Sequence, residues 1–265
     1  MRLSRLLPIV FIVLFALCPR PAAAGGQPDH KLLLEEASRF FQQASQLEDE
    51  AQSADLYRKA LIRFEKLVDD GVVNGKLYYN LGNTYFRLHD LGRAVLNYRR
   101  ALGYLPEDDN LHQNLLAARS QQQDRIDPKQ EEMIVKTLLF WHYDLAPRTR
   151  LILLAMANLC LWGGLGLRTY RRRGVWWPVG VALLLTMMMG SSLLYERFGR
   201  HAAGVLVATE TMARKGDGLA YGPSFSSPLH AGLEFSLVEK RGEWLYIELA
   251  DGRRCWVPAE DAEII

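Results

Sequence analysis

The sequence predicts a multidomain membrane protein, with an all-α domain of helical repeats, a two-helix transmembrane hairpin and a C-terminal all-β domain. Three observations support this architecture. A helical pattern recurs in the first half of the chain, two uncharged apolar runs flank a cluster of arginines, and short alternating runs separated by turn residues follow to the end. The 265 residues are 49% hydrophobic, and it is the uneven distribution of these residues that argues against a single globular domain.

The first 24 residues have the layout of a secretory signal peptide. Two arginines precede the apolar run 6–17, and three alanines end the segment at Ala24, where we expect cleavage. An uncleaved membrane anchor is the alternative, because the Pro-Arg-Pro sequence at 19–21 is unusual before a cleavage site. In both cases the residues that follow leave the cytoplasm.

Composition and motifs argue against a nucleic-acid-binding protein and against an enzyme. The net charge of +2 arises in the signal segment, and the rest of the chain has 29 basic and 30 acidic residues. The three cysteines and six histidines show no metal-ligand or redox spacing. Neither a P-loop nor a GxSxG motif is present. We therefore expect no catalytic residues, no cofactor and no metal.

The strongest motif lies in residues 75–108. Eight residues match the 34-residue tetratricopeptide repeat (TPR) at its spacing: Tyr78, Leu81, Gly82, Tyr85, Ala94, Tyr98, Ala101 and Pro106. This resemblance implies two antiparallel helices that approach closely at Gly82 and Ala94, with Asp90 capping the second helix and Pro106 ending it. Four apolar residues recur 34 positions earlier, at Tyr57, Ala60, Phe64 and Leu67. We expect a domain over 25–127 with two repeats and a polar capping helix.

A TPR array forms a concave groove lined by the first helix of each repeat. The resemblance places seven residues there, namely Lys76, Tyr79, Asn80, Asn83, Arg87, Gln113 and Asn114. Asparagine amides can donate to and accept from an extended peptide, and Lys76 can meet a carboxylate. We expect protein partners to bind here. The alternative is a solvated helix face on which Asn83 bonds only to local backbone.

Two candidate membrane spans lie within residues 149–197. The runs 151–167 and 175–195 carry no charge, the first is interrupted only by Asn158, and each is long enough to cross a bilayer. The four arginines between them place that loop in the cytoplasm and both flanking domains outside. Before the first span, we expect an interfacial linker over 128–148, with an amphipathic helix in 133–143.

Residues 202–265 show short alternating runs and hairpin turns, as in an all-β domain. The segment resembles bacterial SH3-like barrels in its Tyr-Gly-Pro-Ser loop at 221–224 and its Gly-x-Trp at 242–244. The final Asp-Gly-x-x-Gly-Trp-Val pattern departs from the family at Cys255, which replaces glycine. We expect Trp256 in the core, and Tyr221 and Trp244 as surface candidates for binding.

In its order of segments, the whole chain is similar to the BatE family of the aerotolerance (Bat) operons. The similarity is strongest over 77–86, 91–94 and 114–115. It implies a bacterial inner-membrane scaffold with two periplasmic domains and a role in oxidative or envelope stress. It also implies partners with von Willebrand factor A domains and a MoxR-type AAA+ ATPase. Two alternatives are a peptidoglycan-binding module and an accessory subunit of a membrane enzyme.

Overall fold

The structure is a computed structural model that describes residues 28–127, 137–143, 145, 147–170, 176–198 and 202–265. The expected signal peptide, the start of the expected interfacial helix and the arginines at 171–173 lie outside the described residues. The described part contains eight α-helices: α1 (Pro28–Ser45), α2 (Glu50–Asp69), α3 (Gly75–Arg87), α4 (Leu91–Leu102), α5 (Asp109–Ser120), α6 (Phe140–Tyr143), α7 (Pro147–Tyr170) and α8 (Trp176–Phe198).

Side-chain caps fix where four of the first five helices begin. The carboxylates of Asp49, Asp90 and Asp108 and the amide oxygen of Asn74 each accept a hydrogen bond from the backbone N–H three residues later. Each of these caps stabilises its helix by about 1 kcal/mol. The expected helix end at Pro106 is wrong, because α4 already ends at Leu102 and Pro106 lies in the loop beyond it.

Helices α1 to α5 pack as successive antiparallel neighbours around one hydrophobic core. The buried residues of α2 are the four that the 34-residue period picks out, Tyr57, Ala60, Phe64 and Leu67. Gly82 lies at the crossing of α3 and α4, where a Cβ atom would come within 2.5 Å of Cδ1 of Tyr98. The Tyr98 ring can therefore lie flat against the α3 backbone, and its side chain is only 1% exposed.

Helices α7 and α8 form an antiparallel pair with two segments long and apolar enough to cross a membrane, Arg148–Gly166 and Trp176–Tyr195. Core helices of soluble proteins are mostly buried, whereas here only 11% and 22% of the two apolar windows are buried. The residues of α7 on the side that faces α8 recur every seven positions, at Arg150, Ala157 and Gly164. At one end, Ser192 accepts a hydrogen bond from Nη1 of Arg150 at 2.9 Å and lies 2.8 Å from Nδ1 of His142.

The C-terminal segment forms a five-stranded antiparallel sheet and a two-stranded sheet. Seven strands are described: β1 (Ala203–Leu206), β2 (Glu210–Thr211), β3 (Leu229–His230), β4 (Glu234–Arg241), β5 (Trp244–Glu248), β6 (Arg254–Pro258) and β7 (Ala262–Ile264). The larger sheet has the order β6-β5-β4-β1-β7, so within the described residues its edge strands do not pair to close a barrel.

Strands β4, β5 and β6 enclose the core of this β domain. The predicted core position of Trp256 is not what the structure shows: Trp256 is 8% exposed, but its ring stacks on Tyr246 and lies under the Arg241 guanidinium, and its neighbours Cys255 and Val257 belong to the core instead. Cys255 is also buried there, and burial raises the pKa of its thiol to about 12. At that pKa the thiol stays protonated at neutral pH, which makes Cys255 a small apolar core residue rather than a nucleophile.

Candidate functional site

Of the seven residues expected in the groove, the structure joins three, Tyr79, Asn83 and Asn114, through side-chain hydrogen bonds, and Asn83 lies at the centre of this cluster. The Asn83 Oδ1 atom accepts hydrogen bonds from the hydroxyl of Tyr98 at 2.8 Å and from Nδ2 of Asn114 at 2.9 Å. The same Nδ2 of Asn114 donates to the hydroxyl of Tyr79 at 3.0 Å. Four polar side chains thus form one network that joins α3, α4 and α5.

This network explains why Asn83 and Asn114 are half-buried rather than exposed. Tyr98 needs a hydrogen-bond acceptor, since an unpaired buried hydroxyl is costly, and Asn83 supplies it. Burial raises the pKa of the Tyr98 hydroxyl above its ordinary value, and the nearby Tyr79 adds to the shift. Tyr98 therefore remains neutral and keeps donating to Asn83. Part of the hydrogen-bonding capacity of the Asn83 and Asn114 side chains is therefore used to stabilise the helical domain.

The other residues of the expected groove are exposed or half-buried. Lys76, Arg87 and Gln113 are exposed, and Tyr79 and Asn80 are half-buried. Within the described residues, the side-chain amide of Asn80 makes no hydrogen bond, although its backbone carbonyl accepts from Thr84. Helix α3 contains no acidic residue and has a cation near each end. The groove therefore offers a free amide between two positive charges.

The β domain packs against α4 and against the segment that follows α5. A Cβ atom on Gly92 of α4 would lie 2.7 Å from both the carbonyl oxygen of Leu206 and Cα of Val207, so the two backbones are in close contact. Val205 belongs to the helical core, and Ile126, which follows α5, packs against the core of the β domain. The helical and β domains therefore make apolar contacts with each other in addition to the close backbone contact at Gly92.

Two glutamates of the β domain are paired with arginines of the helical domain. Both carboxylate oxygens of Glu234 accept from Arg119, at 2.6 and 3.0 Å, and Arg99 lies 3.1 Å away. Arg100 donates to Glu263 at 3.3 Å and to the carbonyl oxygen of Ile264 at 2.9 Å.

A third polar contact extends this interface past the end of α5. The carboxylate of Asp124 accepts from the backbone N–H of His230 and lies 2.9 Å from its Nδ1. Sequence reasoning missed the interface as a whole, because it treated the two domains as independent. Arg99 and Arg100 of α4 are both residues of this interface.

The two surface candidates of the β domain differ in exposure. Tyr221 is 51% exposed, and its loop is held by Arg214, whose Nη1 donates to the carbonyl oxygens of Leu219 and Tyr221. Trp244 is half-buried at the start of β5. Tyr221 is thus an aromatic ring presented on a braced loop, whereas Trp244 offers less of its surface.

The chain matches no protein-family model, and no curated protein sequence matches it. Among the described residues, no group of three or more histidine, cysteine, aspartate or glutamate side chains could hold a metal ion. The argument about function therefore depends on the groove, the docked β domain and the apolar helix pair.

Proposed function

We propose that this protein is a non-enzymatic, membrane-anchored scaffold that binds protein partners in the groove of a TPR domain outside the cytoplasm. The observation that supports the groove most directly is the docking of the SH3-like β domain on α4 and α5. Helical repeats bind partners by more than one face. Here the chain's own β domain packs against α4 and the segment that follows α5, and the face carrying Lys76, Asn80 and Arg87 remains open.

The docking also supports a two-span topology. The helical domain precedes the apolar helix pair and the β domain follows it, so their direct contact requires both to lie on one side of the membrane. An even number of crossings satisfies this, and the arginine-rich loop favours a cytoplasmic position for the turn. The bacterial inner membrane, with both domains in the periplasm, is the location that these features support.

Reporter fusions test this topology. A reporter that is active only outside the cytoplasm should be active after Asp127 and after Ile265, and silent at Tyr170. The measurement is reporter activity normalised to the amount of fusion protein in the membrane fraction. An active fusion at Tyr170 would contradict the two-span arrangement.

Partner binding in the groove predicts different effects for Asn80 and Asn83. Asn80→Ala should weaken partner capture about tenfold to a hundredfold, as expected when an amide that pairs with a desolvated group is lost, and should leave the melting temperature unchanged. Asn83→Ala should weaken capture and also destabilise the domain by about 1–2 kcal/mol, because Tyr98 loses its acceptor.

The assay is crosslinking in native membranes followed by mass spectrometry, with thermal unfolding measured in parallel. Arg58→Ala is the control, since Arg58 is exposed on α2 and makes no hydrogen bond or ion pair within the described residues. If Asn80→Ala and Arg58→Ala capture partners equally well, the groove is an ordinary solvated surface. By the BatE resemblance, the expected partners are proteins with von Willebrand factor A domains, which work with a MoxR-type ATPase. Recovery of a single stoichiometric enzyme would instead indicate an accessory subunit.

Peptidoglycan binding is a second candidate function, favoured by the exposed ring of Tyr221 on its braced loop. Flat aromatic rings bind amphipathic ligands, because they offer apolar area together with a polar tip. If the β domain binds the cell wall, the full chain should sediment with purified peptidoglycan, and Tyr221→Ala should reduce the bound fraction. The groove variant Asn80→Ala should sediment normally.

A further inference from the structure

A cleft of about 360 Å³ opens where α2, α3 and α4 meet strand β7. It contains none of the seven residues expected in the groove. Its floor is apolar and includes Val68, Leu81 and Leu96, the last two almost fully buried. Its rim is charged, with carboxylates from α2 and β7 and guanidinium groups from α4. Sites for small ligands have volumes of about 300–1,000 Å³, so the cleft is large enough for one long side chain.

The two cations at the rim of this cleft already have anionic partners. Nη1 of Arg93 donates to the carboxylate of Asp90 at 2.8 Å. Nη2 of Arg100 donates to the carboxylate of Glu263 at 3.3 Å. Neither guanidinium group is therefore left to balance a further carboxylate in the cleft.

Two carboxylates of α2, by contrast, have no cationic partner. Glu65 is half-buried and accepts a hydrogen bond from the hydroxyl of Tyr85. Burial, and next the hydrogen bond to Glu65, raises the pKa of that hydroxyl above its ordinary value, so Tyr85 is a neutral donor. Asp69 lies one turn further along α2 and makes no hydrogen bond or ion pair within the described residues, while the neighbouring Lys66 pairs with Asp70 at 2.6 Å. The cleft therefore carries an excess of negative charge.

A nearly buried amide at the edge of the cleft has an acceptor without a donor. Asn97 lines the cleft and is only 4% exposed, and its Nδ2 donates to the carbonyl oxygen of Arg93 at 2.9 Å. Its Oδ1 accepts no hydrogen bond from any described residue, and this oxygen is not sealed inside the protein. An unpaired acceptor in such surroundings is costly, and an N–H group of a ligand in the cleft would pair with it.

We propose that this cleft binds an arginine side chain of a protein partner. The proposal rests on the partner binding argued under Proposed function, and it adds a second contact of defined chemistry. A guanidinium group supplies the positive charge that Glu65 and Asp69 lack, and its several N–H donors can meet both carboxylates and the Asn97 oxygen together. Its methylene stem suits the apolar floor. Lysine concentrates its donors at one point and is a poorer match.

Titration of the full chain in micelles of an uncharged detergent tests the site. The probe is the capped tripeptide acetyl-Gly-Arg-Gly-amide, in which the side chain carries the only charge. The matched control peptide has citrulline in place of arginine, which keeps the shape of the side chain but replaces the cation by a neutral urea. The arginine peptide should shift the NMR signals of the Asn97 side-chain amide and the Tyr85 ring. The citrulline peptide should bind more weakly by about tenfold or more, as expected when a charge-assisted hydrogen bond is lost.

Three variants locate the binding. Glu65→Gln keeps an acceptor for Tyr85 but removes the charge, and it should weaken the arginine peptide about tenfold without changing the melting temperature. Asp69→Asn should weaken it less, because Asp69 is exposed and solvent screens its charge. Glu50→Gln is the control, since it makes the same substitution in the first turn of α2, about 22 Å from Glu65 along the helix axis, and it should bind the peptide normally.

Equal binding of the two peptides, or arginine binding that Glu65→Gln leaves unchanged, overturns the cleft site whatever the partners do. Partner capture in native membranes separates the cleft from the groove. Glu65→Gln should lower capture, as it lowers peptide affinity. Capture that depends on Asn80 but not on Glu65 overturns the cleft as a partner site and leaves the groove standing, and the reverse dependence overturns the groove alone. A chain that captures no partner overturns the proposed function and the partner's arginine with it.

Discussion

Gly82→Leu should destabilise the helical domain by about 1–3 kcal/mol, the usual cost of overpacking a filled core. A Cβ atom at this position would lie 2.5 and 2.6 Å from two atoms of the Tyr98 ring, which is far inside van der Waals contact. The ring cannot swing aside cheaply, because it is buried and its hydroxyl donates to Asn83. Leucine favours helix over glycine by somewhat under 1 kcal/mol, which offsets only part of the clash.

The measurement is thermal unfolding of the full chain in detergent, with hydrogen exchange of the α3 and α4 amides to locate the change. For a domain of this size, each kcal/mol lowers the melting temperature by about 4–8 °C. Lys76→Leu serves as the control, since it introduces the same side chain at an exposed position of the same helix. Equal melting of the two variants would mean that Gly82 does not lie at a helix crossing.

The parts of the fold that the sequence predicts are those encoded by local periodicity and turn chemistry. The buried set Tyr57, Ala60, Phe64 and Leu67 follows from a 34-residue period, and Asp90 caps α4 as its position predicts. The predicted end of α4 at Pro106 is wrong. A proline marks a position where a helix cannot continue, but α4 ends earlier, at Leu102, with Gly103 as its C-terminal cap residue. Two long apolar runs likewise predict two long apolar helices.

The candidate site was predicted less completely, because it depends on pairs far apart in the chain. Asn83 meets Tyr98 and Asn114, which lie 15 and 31 residues further along, and no local pattern shows that its carbonyl is already used. Glu234 and Arg119 are 115 residues apart, and charged residues at such separations pair in too many ways for a sequence to single out one.

Breaking the Glu234 contact should loosen the docking of the two domains by about 1–2 kcal/mol. Removing one partner of a fully buried ion pair costs about 3–5 kcal/mol. Here the side chains of Glu234, Arg119 and Arg99 are 25%, 37% and 35% exposed, so solvent screens part of the interaction. Glu234→Ala removes the shared carboxylate and leaves two guanidinium groups facing each other, which adds repulsion to the lost bidentate hydrogen bonds.

Docking is measured by the distance distribution between spin labels at Arg58 on α2 and Lys240 on β4, in the full chain with Glu234→Ala or Arg119→Ala. Each single variant should broaden the distance distribution. The double variant should broaden it by less than the sum of the two single effects, because the two substitutions remove the same contact. Raising the ionic strength should act in the same direction. Glu239→Ala is the control, since Glu239 pairs with Arg241 inside the β domain and should leave the distance unchanged. A narrow distribution in the Glu234→Ala variant would show that the apolar contacts at Gly92 and Val205 hold the domains together without the ion pairs.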